Sequence, residues 1–81
     1  MTDVVRVYSK PACQQCTLTK RLLTNLGVEY IEDDATEPGN IAAFKEAGFM
    51  AAPVVVVGEE MWAGFQPERI KAVAARLGKD N

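Results

Sequence analysis

The stretch Ser9-Lys10-Pro11-Ala12-Cys13-Gln14-Gln15-Cys16 holds both cysteines of the chain and lies where two sequence patterns meet. Before it, Val4-Val5-Arg6-Val7-Tyr8 is rich in β-branched and aromatic residues, which is typical of a strand. After it, apolar residues recur at helical spacing as far as Gly27, namely Leu18, Leu22, Leu23 and Leu26. The sequence therefore predicts a strand over Val4–Tyr8 and a helix over Gln14–Leu26, joined by a Cys-x-x-Cys turn.

A Cys-x-x-Cys pair that opens a helix directly after a strand is typical of reversible thiol–disulfide exchange. The first cysteine lies at the helix N-terminus, where unpaired backbone N–H groups and the positive end of the dipole favour a thiolate. We therefore predict that Cys13 attacks a target disulfide and that Cys16, three residues on, resolves the product. Lys10 adds a positive charge that supports the thiolate, unless its side chain points to water.

Other uses of two cysteines stay open at this point. The chain has no histidine and no third cysteine, so it cannot close a tetrahedral zinc site alone, which leaves a metal or cluster shared by two copies. A purely structural disulfide would close too short a loop to restrict the unfolded chain much. Two unrelated buried thiols are the remaining alternative. We favour a redox pair that uses no metal and no cofactor.

Length and charge narrow the class of protein. The chain of 81 residues predicts one small domain over 1–81, and its net charge of 9 − 11 = −2 without a basic run argues against nucleic-acid binding. Met1-Thr2-Asp3 does not open a signal peptide, and no apolar run is long enough to span a membrane. With only two cysteines, we expect a cytoplasmic protein, and nothing in the sequence requires more than a monomer.

The middle of the chain predicts a second strand and a second helix. Val28–Glu32 alternates like a strand, with Val28, Tyr30 and Ile31 as the candidates for the inward side. A helix follows from about Pro38 to Gly48, with an apolar stripe of Ile41, Phe44 and Ala47. The acidic residues Asp33, Asp34 and Glu37 are interpreted as a solvated loop at the start of this helix, with partner docking as the alternative.

The last third predicts a hairpin and a third helix. The run that ends in Val54-Val55-Val56-Val57, with Pro53 at its first strand position, is typical of a strand buried on both faces. Gly58-Glu59 turns into an antiparallel strand over Glu60–Ala63. A helix beginning at Pro67 then carries an apolar face and ends at Gly78, before the frayed tail Lys79-Asp80-Asn81; the face is Ile70, Val73, Ala74 and Leu77.

The resulting order, β-α-β-α-β-β-α, predicts the α/β class and a minimal thioredoxin fold. In this fold a four-stranded mixed sheet is covered by three helices. The Cys-x-x-Cys pair then lies at the C-terminal end of the first strand, where open α/β sheets place their chemistry.

Three stretches of the sequence resemble the signatures of the NrdH-redoxins: Tyr8–Cys16, Ala52–Val55 and Trp62–Pro67. The resemblance covers nearly the whole chain, and the Trp-x-Gly-Phe-x-Pro stretch makes it specific. It implies a protein similar in sequence to glutaredoxins that behaves like a thioredoxin. Such proteins take electrons from NADPH through thioredoxin reductase and pass them to the large subunit of class Ib ribonucleotide reductase.

The resemblance also implies roles for individual residues. Cys13 and Cys16 match the attacking and the resolving thiol. Pro53 matches a proline that is cis throughout the thioredoxin superfamily, and the backbone of Ala52 would pair with an extended substrate segment. Trp62, Ala63, Gly64 and Phe65 match a region associated with partner binding, although Trp62 and Phe65 could instead simply close the core.

Some positions depart from related patterns. Glutaredoxins bind glutathione with a Gly-Gly and an acidic or serine cap where this chain has Gln66-Pro67, and Gln14-Gln15 replaces their usual Pro-Tyr. Ala51 stands where many relatives carry Thr or Gln, which implies that one side-chain contact to the substrate is missing. The alternatives to the thioredoxin-like carrier are therefore a glutathione-dependent glutaredoxin and a non-catalytic module. Such a module would share a metal between two copies or dock a partner through Trp62 and Phe65.

Overall fold

The computed structural model describes residues 4–49 and 51–78. They form four strands and three helices in the predicted order: β1 (Val5–Ser9), α1 (Gln14–Asn25), β2 (Ile31–Asp34), α2 (Pro38–Glu46), β3 (Val54–Val57), β4 (Glu60–Ala63) and α3 (Pro67–Arg76). The N-terminal Met1-Thr2-Asp3, Met50 and the predicted tail Lys79-Asp80-Asn81 lie outside the described residues.

The strands form one mixed sheet in the order β2-β1-β3-β4. β1 pairs with β2 in parallel and with β3 antiparallel, so that Tyr8 is opposite Asp33 on one side and Val54 on the other. β3 and β4 form an antiparallel hairpin in which Val57 is paired with Glu60, across the predicted turn at Gly58-Glu59. The predicted four-stranded mixed sheet with three helices is confirmed.

Helices lie on both faces of this sheet. The side chains of each strand alternate between the two faces, so that each strand contributes to both layers. Val5 and Val7 of β1 join the core with Leu23 of α1 and Ile70 of α3. Tyr8 points to the opposite face, where its ring contacts that of Phe44 in α2 at 4.8 Å between centroids. The main hydrophobic core therefore lies between the sheet and the pair α1 and α3.

The predicted apolar face of α3 packs into this core. Ile70, Val73 and Ala74 are buried, and Leu77 packs against them while remaining partly exposed. Pro67 occupies the first helical turn, where its missing N–H costs no hydrogen bond. Because this face follows the helical period closely, the sequence predicted both the helix and the side that it buries.

The predicted second strand begins too early. The structure has β2 over Ile31–Asp34, because Val28 lies in the C-terminal capping motif that follows α1. Its N–H donates to the carbonyl of Leu23 at 2.9 Å, and Gly27 adopts a φ of 77°, which together form the Schellman motif of a helix C-terminus. Val28 is buried by this motif and Tyr30 is half-buried, but Ile31 is 44% exposed, so its predicted inward orientation is wrong.

The predicted apolar stripe of α2 does not form a buried face. No residue of α2 is buried, Ile41 is 48% exposed, Ala47 is exposed and only Phe44 is half-buried. α2 covers the second sheet face only in part, and for the same reason Val56 is half-buried although burial on both faces was predicted for the valine strand. β1 and β3 each begin one residue after the predicted start, at Val5 and at Val54.

Among the described residues, none of the three helices is both long enough and apolar enough to cross a bilayer.

Ile70→Ala tests the core between the sheet and α3. Ile70 is fully buried, so we expect the truncation to lower the free energy of unfolding by about 2–5 kcal/mol through lost burial and a residual cavity. The matched control is Ile41→Ala, which truncates an exposed isoleucine of α2 and should change stability by no more than about 0.5 kcal/mol. Urea unfolding measures both, and equal effects would contradict the assigned core.

Candidate functional site

Cys13 and Cys16 form a disulfide at the start of α1, with their Cα atoms 5.2 Å apart. Cys13 is the N-cap residue of the helix, in an extended conformation (φ −110°, ψ 106°). The backbone N–H of Cys16 donates a hydrogen bond to Sγ of Cys13 at 3.1 Å. When the disulfide is reduced, this donor and the helix N-terminus both favour a negative charge on the Cys13 sulfur.

The two sulfur-bearing residues differ in access. Cys13 is partly exposed, whereas Cys16, in the first turn of α1, is only 1% exposed. The chain reaches Cys13 through a tight turn in which Ala12 adopts a φ of 55°, an uncommon conformation for a residue with a side chain. An incoming thiol or disulfide can therefore approach Cys13 directly, while Cys16 is shielded.

A surface groove of about 920 Å³ runs beside the disulfide. Its lining includes Cys13, the exposed Lys10 and a hydrogen-bonded group of three side chains. In that group the hydroxyl of Ser9 donates to Oε2 of Glu32 at 2.6 Å, and Nζ of Lys20 donates to the same oxygen at 2.8 Å. The hydrogen bond from Lys20, and then that from Ser9, hold the pKa of Glu32 below its ordinary value of 4.5.

Glu32→Gln tests whether the ionised carboxylate of Glu32 stabilises the fold. Because the folded-state pKa is lowered, the charged side chain stabilises the fold above its unfolded-state pKa, and this contribution is lost as the pH falls through the folded-state value. We expect the variant to be less stable than the wild type at pH 7, by on the order of 0.5 kcal/mol since solvent screens this half-exposed pair, and the difference to close towards pH 2.

Urea unfolding at both pH values measures this difference. The control is Glu59→Gln, which changes an exposed carboxylate of the hairpin turn and should show no such closing gap. A Glu32→Gln deficit that stays constant down to pH 2 would contradict the assigned role of the ionised carboxylate.

The last two residues of β2, Asp33 and Asp34, are acidic and have partners within the chain. Asp33 forms an ion pair with Arg6 at 2.8 Å. The carboxylate of Asp34 accepts hydrogen bonds from the hydroxyl and the backbone N–H of Thr36, and these hydrogen bonds lower the pKa of Asp34. Glu37 is the N-cap of α2 but makes no capping hydrogen bond through its side chain. The predicted solvated loop is therefore wrong for Asp33 and Asp34, which belong to β2, whereas Glu37 lies at the start of α2 as predicted.

The predicted substrate-binding proline immediately precedes β3. Pro53 is buried and its peptide bond with Ala52 is cis, as the family resemblance implied. The carbonyl of Pro53 accepts the N–H of Gly64 at 2.8 Å, which joins this segment to the loop after β4. Ala52 also lines a second, smaller groove of about 320 Å³, together with Lys10 and Phe44. Lys10 therefore lies between the two grooves.

The four residues predicted for partner binding differ in exposure. Trp62 is 2% exposed and belongs to the hydrophobic core, with the guanidinium of Arg69 over its ring at 5.5 Å. Ala63, Gly64 and Phe65 are half-buried, and Phe65 packs against the same core. The indole of Trp62 thus closes the core, while the loop that follows it remains accessible.

Gln15 is a residue of the site that the sequence argument missed. It was noted only as a departure from glutaredoxins, but its side-chain carbonyl accepts the backbone N–H of Phe65 at 2.9 Å. This hydrogen bond connects the Cys-x-x-Cys turn with the loop after β4 across 50 positions of sequence. No local pattern signals it, because the two partners meet only when the sheet is complete.

Within residues 4–49 and 51–78, no three side chains of the His, Cys, Asp or Glu type come together in a way that could hold a metal ion.

The disulfide at the N-terminus of α1, on this four-stranded sheet, defines a thiol–disulfide oxidoreductase with a thioredoxin fold. A sequence profile described as glutaredoxin matches residues 5–62. The glutaredoxin-like protein NrdH of Escherichia coli strain K12 is 35% identical over 68 residues, which are 82% of this chain and 83% of that protein. The chain belongs to the glutaredoxin family, in the group of glutaredoxin-like NrdH proteins.

Two further comparisons agree with this assignment. The glutaredoxin-like protein NrdH of Lactococcus lactis subsp. cremoris is 33% identical over 72 residues, which are 88% of this chain and the whole of that protein. The solved structure of the NrdH-redoxin from Escherichia coli superposes with a TM-score of 0.80 at 32% identity, over 84% of this chain and 91% of that one. The predicted thioredoxin fold is therefore confirmed by a structure of the same group.

Proposed function

We propose that this chain carries electrons from NADPH, by way of thioredoxin reductase, to the large subunit of class Ib ribonucleotide reductase. The carrier is the Cys13–Cys16 pair, which cycles between a dithiol and a disulfide. The observation that supports this most directly is the asymmetry of the pair. Cys13 is accessible and receives the N–H of Cys16 on its sulfur, whereas Cys16 is buried behind it.

The first step of the proposed cycle is the attack of the Cys13 thiolate on one sulfur of the target disulfide. A bond forms between Cys13 and that sulfur, and the other target sulfur leaves as a thiolate. The helix N-terminus and the Cys16 N–H support the attacking thiolate, and we assign Lys10, on the lip of the groove, an additional electrostatic contribution.

The second step releases the target. Cys16 gives up its proton and attacks the sulfur of Cys13, which expels the second target sulfur as a thiolate and leaves the Cys13–Cys16 disulfide. The target has then gained two electrons and the carrier has lost two. NADPH restores them through the reductase, which reduces the disulfide to the dithiol by the same exchange in reverse.

We further propose that the target segment lies along the backbone of Ala52, next to Pro53, and touches the loop formed by Ala63, Gly64 and Phe65. The supporting contact is the hydrogen bond between Gly64 and Pro53, which holds the loop beside that backbone. Trp62 supports this surface from the core rather than by direct contact. The proposed carrier acts as a monomer in the cytoplasm, where thiol pairs are kept reduced.

The experiment that tests the function compares two electron sources. NADPH consumption with a model disulfide is followed with thioredoxin reductase, and separately with glutathione and glutathione reductase. We expect turnover with thioredoxin reductase and, with the class Ib reductase added, formation of deoxyribonucleotides. Turnover with glutathione alone would contradict this proposal and indicate a glutathione-dependent glutaredoxin. Turnover with neither electron source would contradict the proposed carrier function.

A further inference from the structure

A buried threonine, Thr19, lies one turn after Cys16 on the same side of α1. The buried residues of this helix are Cys16, Thr19 and Leu23, which together form its inward face. Residues three apart on a helix have their Cβ atoms about 5–6 Å apart, and helical side chains lean towards the N-terminus. The side chain of Thr19 is therefore directed towards the turn that contains Cys16.

The hydroxyl of Thr19 is not used by the fold. Its Oγ1 is buried and makes no hydrogen bond with any residue in the described part of the chain. A threonine in a helix commonly donates its hydroxyl to a carbonyl one turn earlier, as Thr17 does to the carbonyl of Cys13 at 3.2 Å. A buried hydroxyl without a partner costs free energy, so in the disulfide form Thr19 holds an unused donor and acceptor one turn from the redox pair.

Reduction of the disulfide supplies a partner for this hydroxyl. In the disulfide, Sγ of Cys16 is bonded to Sγ of Cys13 and carries no proton. After reduction the Cys16 sulfur is a thiol, which can change rotamer and can donate or accept a hydrogen bond. Because Cys16 is 1% exposed, its thiolate gains little from solvent and depends on donors within the protein.

We infer that Thr19 assists the resolving step, because its hydroxyl forms a hydrogen bond with the sulfur of Cys16 once the disulfide is open. The Cys16 proton leaves to solvent through the groove that Cys16 lines, and the hydroxyl of Thr19 keeps its own proton and donates to the thiolate that attacks Cys13. The same hydrogen bond is absent from the disulfide, so Thr19 stabilises the dithiol form. This inference rests on the proposed function only for the roles of the two cysteines.

The first test measures the equilibrium between the dithiol and the disulfide. The protein is equilibrated with reduced and oxidised dithiothreitol, which exchanges two electrons and two protons with the Cys13–Cys16 pair, and alkylation with mass spectrometry counts the thiols. In Thr19→Val a methyl group replaces the hydroxyl. We expect the equilibrium constant for reduction to fall about fivefold, since the dithiol form alone loses a hydrogen bond of ordinary strength. This change corresponds to a reduction potential about 20 mV more negative.

The second test separates the attack by Cys13 from the resolving step. The reduced protein is mixed with one equivalent of the aromatic disulfide dithiobis(nitrobenzoate). Attack by Cys13 releases one nitrobenzoate thiolate, and attack by Cys16 then releases the other, so the absorbance rises in two phases. We expect Thr19→Val to slow only the second phase, by about fivefold at neutral pH. The pH midpoint of that phase should move upwards, because the Cys16 thiolate loses a donor.

Three further variants serve as controls. Thr24→Val makes the same change at an exposed threonine of α1 and should leave both measurements within about twofold of the wild type. Thr19→Ser retains the hydroxyl and should behave like the wild type. Thr19→Ala removes the hydroxyl with a smaller side chain and should repeat the effect of Thr19→Val, so the test does not depend on how valine packs.

The inference is overturned if Thr19→Val and Thr19→Ala leave the equilibrium constant and the second phase within about twofold of the wild type. It is also overturned if both phases slow equally, which would indicate a distorted helix, or if Thr19→Ser behaves like Thr19→Val. These measurements use neither thioredoxin reductase nor ribonucleotide reductase. A wild type that thioredoxin reductase fails to reduce would therefore contradict the proposed function and not this assignment of Thr19.

Discussion

Cys13→Ser is expected to abolish electron transfer to a target disulfide, with turnover falling by at least about 10³-fold. A serine hydroxyl is hardly ionised at neutral pH and cannot form the mixed disulfide through which exchange proceeds. The remaining thiol, Cys16, is 1% exposed and cannot take over the attack. NADPH consumption with thioredoxin reductase and a model disulfide measures the loss.

The expected loss is chemical rather than structural. Cys13 is the N-cap of α1, and serine is among the preferred N-cap residues, so the variant keeps a side chain that can accept the Cys16 N–H. The control is Thr17→Ser, which retains the hydroxyl that donates to the Cys13 carbonyl and should keep turnover within about twofold. Turnover by a folded Cys13→Ser protein would mean that Cys13 is not the attacking thiol.

Elements whose partners are close in sequence could be predicted well. β4 has the predicted bounds Glu60–Ala63, because a two-residue turn at Gly58-Glu59 fixes the register of the hairpin. The buried face of α3 followed from its period alone. The position of the Cys-x-x-Cys pair also followed, since a strand and a helix pattern meet at Cys13 and leave it at the helix N-terminus.

The errors arise where a local pattern competes with packing. Val28 alternates with Tyr30 as in a strand, but it is held in the Schellman motif that caps α1, and β2 starts three residues later. The apolar residues of α2 have helical spacing, yet spacing alone does not say whether a second layer is wide enough to cover them. In this fold α2 covers its side of the sheet only in part, and Ile41 stays exposed.

The residues of the site also differ in how well the sequence predicted them. Cys13 and Cys16 were identified from spacing, whereas the partner of Gln15 lies on a loop 50 positions away and depends on the order of strands in the sheet. For Trp62 the sequence left two interpretations open, because an aromatic residue in a short strand can either contact a partner or lie in the core. Its burial against α3 decides where the ring lies.

Cys16→Ser is expected to stop the cycle after its first step. Cys13 keeps the N-terminal position on α1 and still attacks the target, but the chain then has no second thiol to expel it. We expect multiple turnover to fall by at least about 10²-fold while a one-to-one complex accumulates, joined by a disulfide between Cys13 and the target. Mass spectrometry and non-reducing gels detect this complex, and added dithiothreitol should release it.

The two cysteine variants together separate the proposed roles. Both lower turnover, but only Cys16→Ser should form the covalent complex, because only it retains the accessible thiol. If Cys16→Ser instead turned over fully with glutathione present, an external thiol would be releasing the target, and the buried position of Cys16 would have no part in resolution. That result would support a monothiol, glutathione-dependent route. The proposed carrier needs Cys16 behind Cys13, since a thiol held in the same helical turn resolves the mixed disulfide within one molecule.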